Sequence, residues 1–337
     1  MFTEIAAVLA IVILGWIYKA LKPPPPIICG SPGTPPVTSP RVKLSDGRHL
    51  AYREIGVPKQ DAKYKVIVVH GFASSKDINL PISQEFVEEH RIYILFFDRP
   101  GYGESDPDPT RSVKSEAFDI QELADKLQLG SKFYVIGISL GAYPVWSCLN
   151  YIPHRHVLVV WSISGGSFCP LLVAFFSSQA IKGGFKDAAD FRPVDFFSST
   201  LCPSSDLLVD DSKIFSFVEY HVWEPSNIQP PRSRDTGEVW EAQLEKITQQ
   251  GVYESLHRDL IVGYGKWEFD PIDLSDPIPE GSVHLWQGLQ DRIIPLILNR
   301  YIRDKLPWIR YHEVPDGGHF MIFNSSTCEA IFRALLQ

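Results

Sequence analysis

Phe133-Tyr134-Val135-Ile136-Gly137-Ile138-Ser139-Leu140-Gly141 runs from four apolar residues straight into a Gly-x-Ser-x-Gly turn, and a largely apolar stretch follows to Ile152. A short, wholly apolar run suits a strand covered on both faces, and Leu140 to Ile152 reads as a helix. A serine held between the two occupies a very sharp, strained turn. Gly137 and Gly141 are what such a turn needs, because a Cβ at either place would collide with the neighbouring strand or helix. The turn would present the Ser139 Oγ at a helix N-terminus, where the dipole and free N–H groups favour developing negative charge. Gly-x-Ser-x-Gly alone is common; between a strand and a helix it is a nucleophile signature. The bland alternative is a tight turn with an inert serine.

Further apolar runs lie on either side. Val66-Ile-Val-Val69 and Ile94-Leu-Phe-Phe97 precede the turn, and Val283-His-Leu-Trp286 and Ile309-Arg-Tyr-His312 come late. Another strand is expected near His156–Ser162. Between the early runs, Ala117, Ile120, Leu123, Ala124 and Leu127 give Val113 to Leu129 helical spacing, and Thr327 to Leu336 closes the chain as a helix. Strands separated by helices imply a mostly parallel sheet. Arg41–Ser45 and His49–Ile55 alternate about Asp46-Gly47, which reads as an antiparallel hairpin at the sheet edge. No internal repeat is visible.

A serine hydroxyl is a weak nucleophile near neutral pH; it needs a base, and the base needs an orienting acid. After an elbow of this kind, acid and histidine follow the serine in that order. Asp291, in Gly288-Leu-Gln-Asp291-Arg-Ile-Ile-Pro295, comes just past a strand; His319, in Gly317-Gly318-His319-Phe320, comes past the next. Ser139, Asp291 and His319 are therefore the candidate catalytic residues. Their rivals are weaker: His312 falls within a strand, as a packing residue would, and Asp316 is too close to His319 to reach it across the sheet top. A surface aspartate beside Arg292 is the bland reading of Asp291. His70-Gly71-Phe72 follows the Val66–Val69 strand, so the backbone N–H groups of Phe72 and Leu140 are the candidate oxyanion donors, with His70 as a structural hydrogen-bonder. Asp98-Arg-Pro-Gly-Tyr-Gly-Glu-Ser105 has the wrong spacing for a nucleotide-binding loop and reads as a buttress for the site. No metal or organic cofactor is implied.

The 337 residues are 45% hydrophobic with a net charge of −8, which suits one large domain and sets nucleic-acid binding aside. Five cysteines, an odd number with no metal-ligand spacing, read as a reduced, cytosolic environment. Ile5 to Tyr18 is almost wholly apolar, and extending to Leu21 gives about 17 residues, at the short end for a span. Glu4 in front argues against a secretory leader; Lys19 and Lys22 behind favour a cytosolic C-terminal side, with Trp16 and Tyr18 at the headgroup boundary. Residues 1–22 are thus expected to be a transmembrane or anchoring helix, the alternatives being an interfacial helix or a poorly cleaved leader. Residues 23–40, rich in Pro, Gly and Ser, are expected to be a semi-rigid spacer, and residues 41–337 the catalytic domain.

Together, His-Gly-Phe, Asp-Arg-Pro-Gly-Tyr-Gly-Glu-Ser, Gly-Ile-Ser-Leu-Gly, Gln290-Asp291-Arg292 and Gly-Gly-His resemble the α/β-hydrolase superfamily. More narrowly, Ser39–Tyr52, Gly141–Trp146, Tyr151–Arg155 and Gly265–Pro271 resemble plant membrane-anchored members. The resemblance covers about 39–155 and 240–337. It implies an α/β-hydrolase fold: a mostly parallel central sheet flanked by helices, with a cap or lid insertion over about 160–265. It also implies a membrane location with the domain on the cytosolic side, the endoplasmic reticulum being one candidate. Residues 156–238 depart from the family's Trp-, Tyr- and Pro-rich lid. Codons for Tyr-Trp-Trp-Pro-Ser-Phe-Pro-Ala, read one base early, can encode Leu171-Leu-Val-Ala-Phe-Phe-Ser-Ser178. A frameshifted or mis-spliced lid, returning to frame near Glu238–Gln243, is the resulting hypothesis; resequencing independent transcripts tests it, against a merely divergent lid.

The function expected is hydrolysis of a carboxylic ester, of a small molecule or a lipid such as an acylglycerol, through an acyl-enzyme on Ser139. Transfer to another alcohol would use the same residues. The competing class is a non-catalytic or weakly catalytic ligand-binding protein on this fold, or an inactive variant with a damaged lid. The oligomeric state is not legible.

Overall fold

The computed structural model describes residue 16 and residues 22–155, 158–161, 242–276 and 282–336. Residues 162–241, which hold most of the lid expected over about 160–265, and the apolar N-terminal segment, Trp16 aside, lie outside the described residues. Among the described residues no helix is long and apolar enough to cross a membrane.

Eight strands form one sheet: β1 (Arg41–Lys43), β2 (His49–Gly56), β3 (Tyr64–Val69), β4 (Ile92–Phe97), β5 (Tyr134–Gly137), β6 (Leu158–Trp161), β7 (Val283–Gly288) and β8 (Arg310–Val314), in the order β1-β2-β4-β3-β5-β6-β7-β8. β2 pairs antiparallel with β1 and β4, and every other pairing is parallel. The expected edge hairpin is therefore β1–β2.

The apolar runs are buried from both sides, as a parallel sheet requires. Val66 and Val68 of β3 face one core with Phe86 and Val87 of α1 (Gln84–Glu89) and Ile331 and Phe332 of α6 (Ser325–Leu335). Ile67 and Val69 face the other, with Ile120 and Leu123 of α2 (Val113–Lys126), Val145 and Trp146 of α3 (Ala142–Tyr151), and Ile302 of α5 (Leu296–Lys305). The α4 helix (Arg258–Tyr264) follows a π-turn at Tyr253–His257 and adds Leu260 and Val262 to that second core.

α2 stops at Lys126, three residues before the expected end. Gln128 takes φ +57°, its N–H donates to Asp125 O (3.0 Å) and Leu129 N–H donates to Ala124 O (2.9 Å), which closes a left-handed helix cap. Leu127 and Leu129 still pack in the core, so the apolar pattern outlasts the helix.

The stretch read as a semi-rigid spacer makes specific bonds to the domain. Ile27 N–H donates to Gln250 O (3.0 Å) and Cys29 N–H to Gln250 Oε1 (3.1 Å). Thr38 and Ser39 N–H groups both donate to Glu104 Oε2, at 2.9 and 2.8 Å. The chain is thus fastened to the domain from Ile27 onward, because its backbone donors find buried acceptors in the Gly103–Glu104 loop and at Gln250.

Chain order reverses between β3 and β5: β3 leads outward to β4, and β5 leads the other way to β6. The crevice beyond such a switch point is where open α/β sheets place ligands. Val69 pairs with Gly137, so the loops leaving the two strands begin level with each other.

Candidate active site

At the end of β5 the chain passes through Ser139 into a single 3₁₀ turn, Ser139–Gly141, that runs on into α3. Ser139 has φ +52°, in the left-handed region that costs an L-residue roughly 1–2 kcal/mol. The packing around it allows nothing larger than glycine at either flank. A Cβ on Gly137 would lie 2.5 Å from Gly141 O, and one on Gly141 would lie 2.4 Å from Val69 O and 2.6 Å from His70 O. Gly137 and Gly141 therefore let the helix start hard against β3, and the strained serine points away from the sheet.

His319 Nε2 lies 2.9 Å from Ser139 Oγ, and His319 Nδ1 lies 3.0 Å from Asp291 Oδ2. Asp291 Oδ1 accepts from the N–H groups of Ile293 (2.8 Å) and Ile294 (2.9 Å), so the carboxylate is held independently of the ring. The side chains of Asp291 and His319 are 1% and 8% exposed, so the relay is almost dry. Burial pushes the Asp291 carboxyl up, but the His319 ring, its hydrogen bond and the two N–H groups outweigh burial and hold the carboxyl below its ordinary range. A charged Asp291 selects the tautomer with the proton on Nδ1, which leaves Nε2 free to accept from Ser139. The loops carrying Asp291 and His319 are stitched together: Leu289 N–H donates to Val314 O (3.0 Å) and Gln290 N–H to Gly317 O (2.9 Å).

A cavity of about 100 Å³ opens over Ser139 and His319, with Phe72, Leu140, Tyr264, Ile293 and Phe320 in its wall. The N–H groups of Phe72 and Leu140 donate to no protein acceptor among the described residues. Leu140 lies in the first turn of a helix, where N–H groups have no intrahelical partner. Of the five residues proposed from sequence, Ser139, His319, Phe72 and Leu140 line this cavity, and Asp291 stands behind His319, outside its lining.

His70 is buried and structural, as expected. Its Nε2 accepts from Arg99 N–H (3.0 Å), so the Nδ1 proton goes to Gly71 O (2.8 Å). Burial, then the nearby Arg99 charge, hold His70 well below the ordinary histidine range, and it stays neutral. His312 packs in β8, stacked on Trp286 at 4.2 Å and accepting or donating to His284 at 3.0 Å. Asp316 is exposed and takes no part.

The Asp98–Ser105 loop is a buttress. Asp98 is buried, accepts from Lys76 N–H (2.7 Å) and pairs with Lys76 Nζ (3.2 Å). Ser105 Oγ donates to Asp98 O (2.6 Å). Beside it lies a cluster that sequence reasoning missed. Arg99 makes a bidentate pair with Asp259 at 2.5 and 2.5 Å, and Arg111 Nη2 donates to Asp259 Oδ1 (2.9 Å). Arg111 also pairs with Glu116, and the hydroxyls of Tyr102 (2.6 Å) and Tyr143 (2.8 Å) donate to Asp259. Two arginines and two carboxylates cancel in charge, the condition under which ions survive such burial. Burial would raise the Asp259 carboxyl, but Arg99 and Arg111 hold it below its ordinary range. Arg99 and Asp259 are 160 residues apart; the only sequence signals are two arginines, at 99 and 111, next to strands and helices that leave them no solvent. Among the described residues no cluster of three or more His, Cys, Asp or Glu side chains could hold a metal ion.

The fold recurs widely among solved structures. An esterase from Exiguobacterium antarcticum superposes with a TM-score of 0.59 at 14% identity, covering 89% of this chain and 99% of its own. A putative lipase from Acinetobacter baumannii AYE gives 0.58 at 18% identity, covering 89% of each chain. The enol-lactonase from Burkholderia xenovorans LB400 gives 0.56 at 13% identity, covering 88% of this chain and 100% of its own. No curated protein matches the sequence. The model of the alpha/beta hydrolase family matches residues 66–334, a span that holds the elbow, both later site loops and seven-tenths or more of the chain, and the protein therefore belongs to the alpha/beta hydrolase family.

Proposed function

We propose that this hydrolase cleaves a carboxylic ester through an acyl-enzyme on Ser139. The observation that carries the reading is the unbroken relay from Ser139 Oγ to His319 Nε2 (2.9 Å) and from His319 Nδ1 to Asp291 (3.0 Å). Nε2 takes the proton as Oγ attacks the ester carbonyl carbon. The carbonyl oxygen becomes an oxyanion facing the Phe72 and Leu140 N–H groups, which donate to no other acceptor among the described residues. The tetrahedral intermediate collapses, the ester C–O bond breaks, and His319 returns the proton to the departing alcohol. Water then repeats the sequence on the acyl-enzyme, giving the acid and free Ser139. Asp291 stays charged throughout and stabilises the imidazolium.

The apolar cavity wall supports an acyl group of hydrocarbon character. An acylglycerol or other lipid ester is the substrate class we favour. We assign residues 1–22 to a membrane anchor on a domain facing the cytosol, the endoplasmic reticulum being one candidate compartment. The support is the apolarity of Ile5–Tyr18 with Lys19 and Lys22 behind it. We place a cap or lid over about 160–265, with 156–238 altered from the family pattern. The test is turnover of p-nitrophenyl esters of graded acyl length by the full chain and by Ser139→Ala. Turnover that Ser139→Ala abolishes supports the reading; equal turnover by both refutes it.

A further inference from the structure

One bond leaves the buried arginine cluster for the active site. Arg99 Nη2 donates to Gly71 O (3.3 Å), the same carbonyl that takes the His70 Nδ1 proton at 2.8 Å. That carbonyl and the Phe72 N–H are the two ends of one trans peptide, planar and pointing in opposite directions. A donor that grips the carbonyl therefore fixes where the N–H points, and it also polarises that N–H.

Arg99 is in turn fixed from α4. Its guanidinium is held in the fork of Asp259 at 2.5 and 2.5 Å. Asp259 belongs to α4, whose Leu260 and Tyr264 line the cavity over Ser139. Arg99 is fully buried, and its rigid planar fork holds both Asp259 oxygens while reaching Gly71 O, a fixed geometry that a lysine's freely rotating point charge does not supply.

From this geometry we infer that Arg99 and Asp259 are positioning residues: they aim the Phe72 N–H at the developing oxyanion and tie that aim to the helix forming the cavity wall. The inference rests on the reading of Phe72 N–H as an oxyanion donor. It assigns a role in turnover to two residues that touch neither substrate nor Ser139.

The test uses the full chain, a p-nitrophenyl ester and two ketone probes. An alkyl trifluoromethyl ketone forms a serine adduct that carries an oxyanion; the matching methyl ketone binds without one. Losing a whole oxyanion donor costs about 10²–10³ in kcat, so a mis-aimed one should cost about 10–10²-fold. Arg99→Lys, which keeps the charge and loses the fork, is expected to lower kcat by that factor with KM within about twofold. It should weaken the trifluoromethyl ketone by the same factor and leave the methyl ketone unchanged. Arg48→Lys is the control: Arg48 makes another bidentate pair, with Asp119 at 3.0 and 2.7 Å, and no contact with Gly71. It should leave all four quantities near wild type.

Unchanged kcat in Arg99→Lys, or equal weakening of both ketones, overturns the inference while Ser139-dependent turnover by the wild type keeps the hydrolase reading. Absence of that turnover in the wild type sinks the reading and this inference with it. Should Arg99→Lys fail to fold, Asp259→Glu is read by the same two ketones. Failure of both to fold also overturns the inference, since the pair would then serve the fold and not the aim.

Discussion

Asp291→Asn changes one atom and should cost nearly all turnover. In the native protein Oδ1 accepts from Ile293 and Ile294 N–H groups and Oδ2 faces His319 Nδ1. An asparagine keeps its carbonyl oxygen on the two N–H groups, so its amide turns toward Nδ1. The ring must then accept at Nδ1 and carry its proton on Nε2, facing Ser139, where it cannot act as a base. The charge loss adds to this. A carboxylate about 4 Å from the imidazolium charge contributes about 4 kcal/mol at an effective dielectric near 20, or roughly 10³ in rate. With the wrong tautomer, the total loss should be on the order of 10⁴ in kcat, with KM little changed.

The same substitution has a pH signature. Asp291 has a folded-state pKa below its ordinary value. Its contribution to stability is therefore complete above the unfolded value of about 3.9 and is lost as pH falls through the folded one. Asparagine does not titrate. The contribution of the Asp291 charge to the stability gap between wild type and Asp291→Asn should be lost only below about pH 4. Steady-state kinetics across pH 6–9, with thermal melts across pH 3–8, measure both effects. Retention of more than about a tenth of wild-type kcat would refute the relay.

Three further outcomes follow from the same geometry. Ser139→Gly and Ser139→Ala should be equally inactive, but the glycine variant should be more stable by about 1 kcal/mol, since φ +52° strains alanine and not glycine; equal melting temperatures would argue against a strained elbow. Gly141→Ala should destabilise by about 1–3 kcal/mol and lower turnover, because its Cβ meets backbone oxygens that cannot yield; a chemical-denaturation midpoint equal to wild type would contradict this. Cys29, Cys148 and Cys328 are buried free thiols, and burial, then the Glu104 charge, push Cys29 up to about 11; iodoacetamide at pH 7.5 should label them only after unfolding, and rapid native labelling would contradict their placement.

How much of this was legible depends on distance along the chain. The elbow declares itself within nine residues, since strand, turn and helix signals are contiguous there. Asp291 and His319 are readable because each follows a strand-like apolar run and the fold fixes their order. The edge hairpin shows through Asp46-Gly47. By contrast, α1 is six residues long and mostly polar outside Phe86 and Val87, too short for a period to appear. Periodicity overran α2 because Leu127 and Leu129 remain core residues past a cap where Gln128 takes the place glycine usually fills. The linker's pinning joins the N–H groups and hydroxyls of Thr38 and Ser39 to Glu104, and the N–H groups of Ile27 and Cys29 to Gln250, pairings between distant residues that no local pattern encodes. The Arg99–Asp259 pair joins residues whose only common signal is opposite charge, and many surface pairs share that signal.

The most direct measurement is covalent. The full chain is treated with a fluorophosphonate, digested and mapped by mass spectrometry, alongside Asp291→Asn. A phosphonyl adduct on Ser139, formed quickly in the wild type and about 10³–10⁴ more slowly in Asp291→Asn, is the predicted result. A folded wild-type protein that stays unlabelled at Ser139, or that labels no faster than Asp291→Asn, would contradict the account.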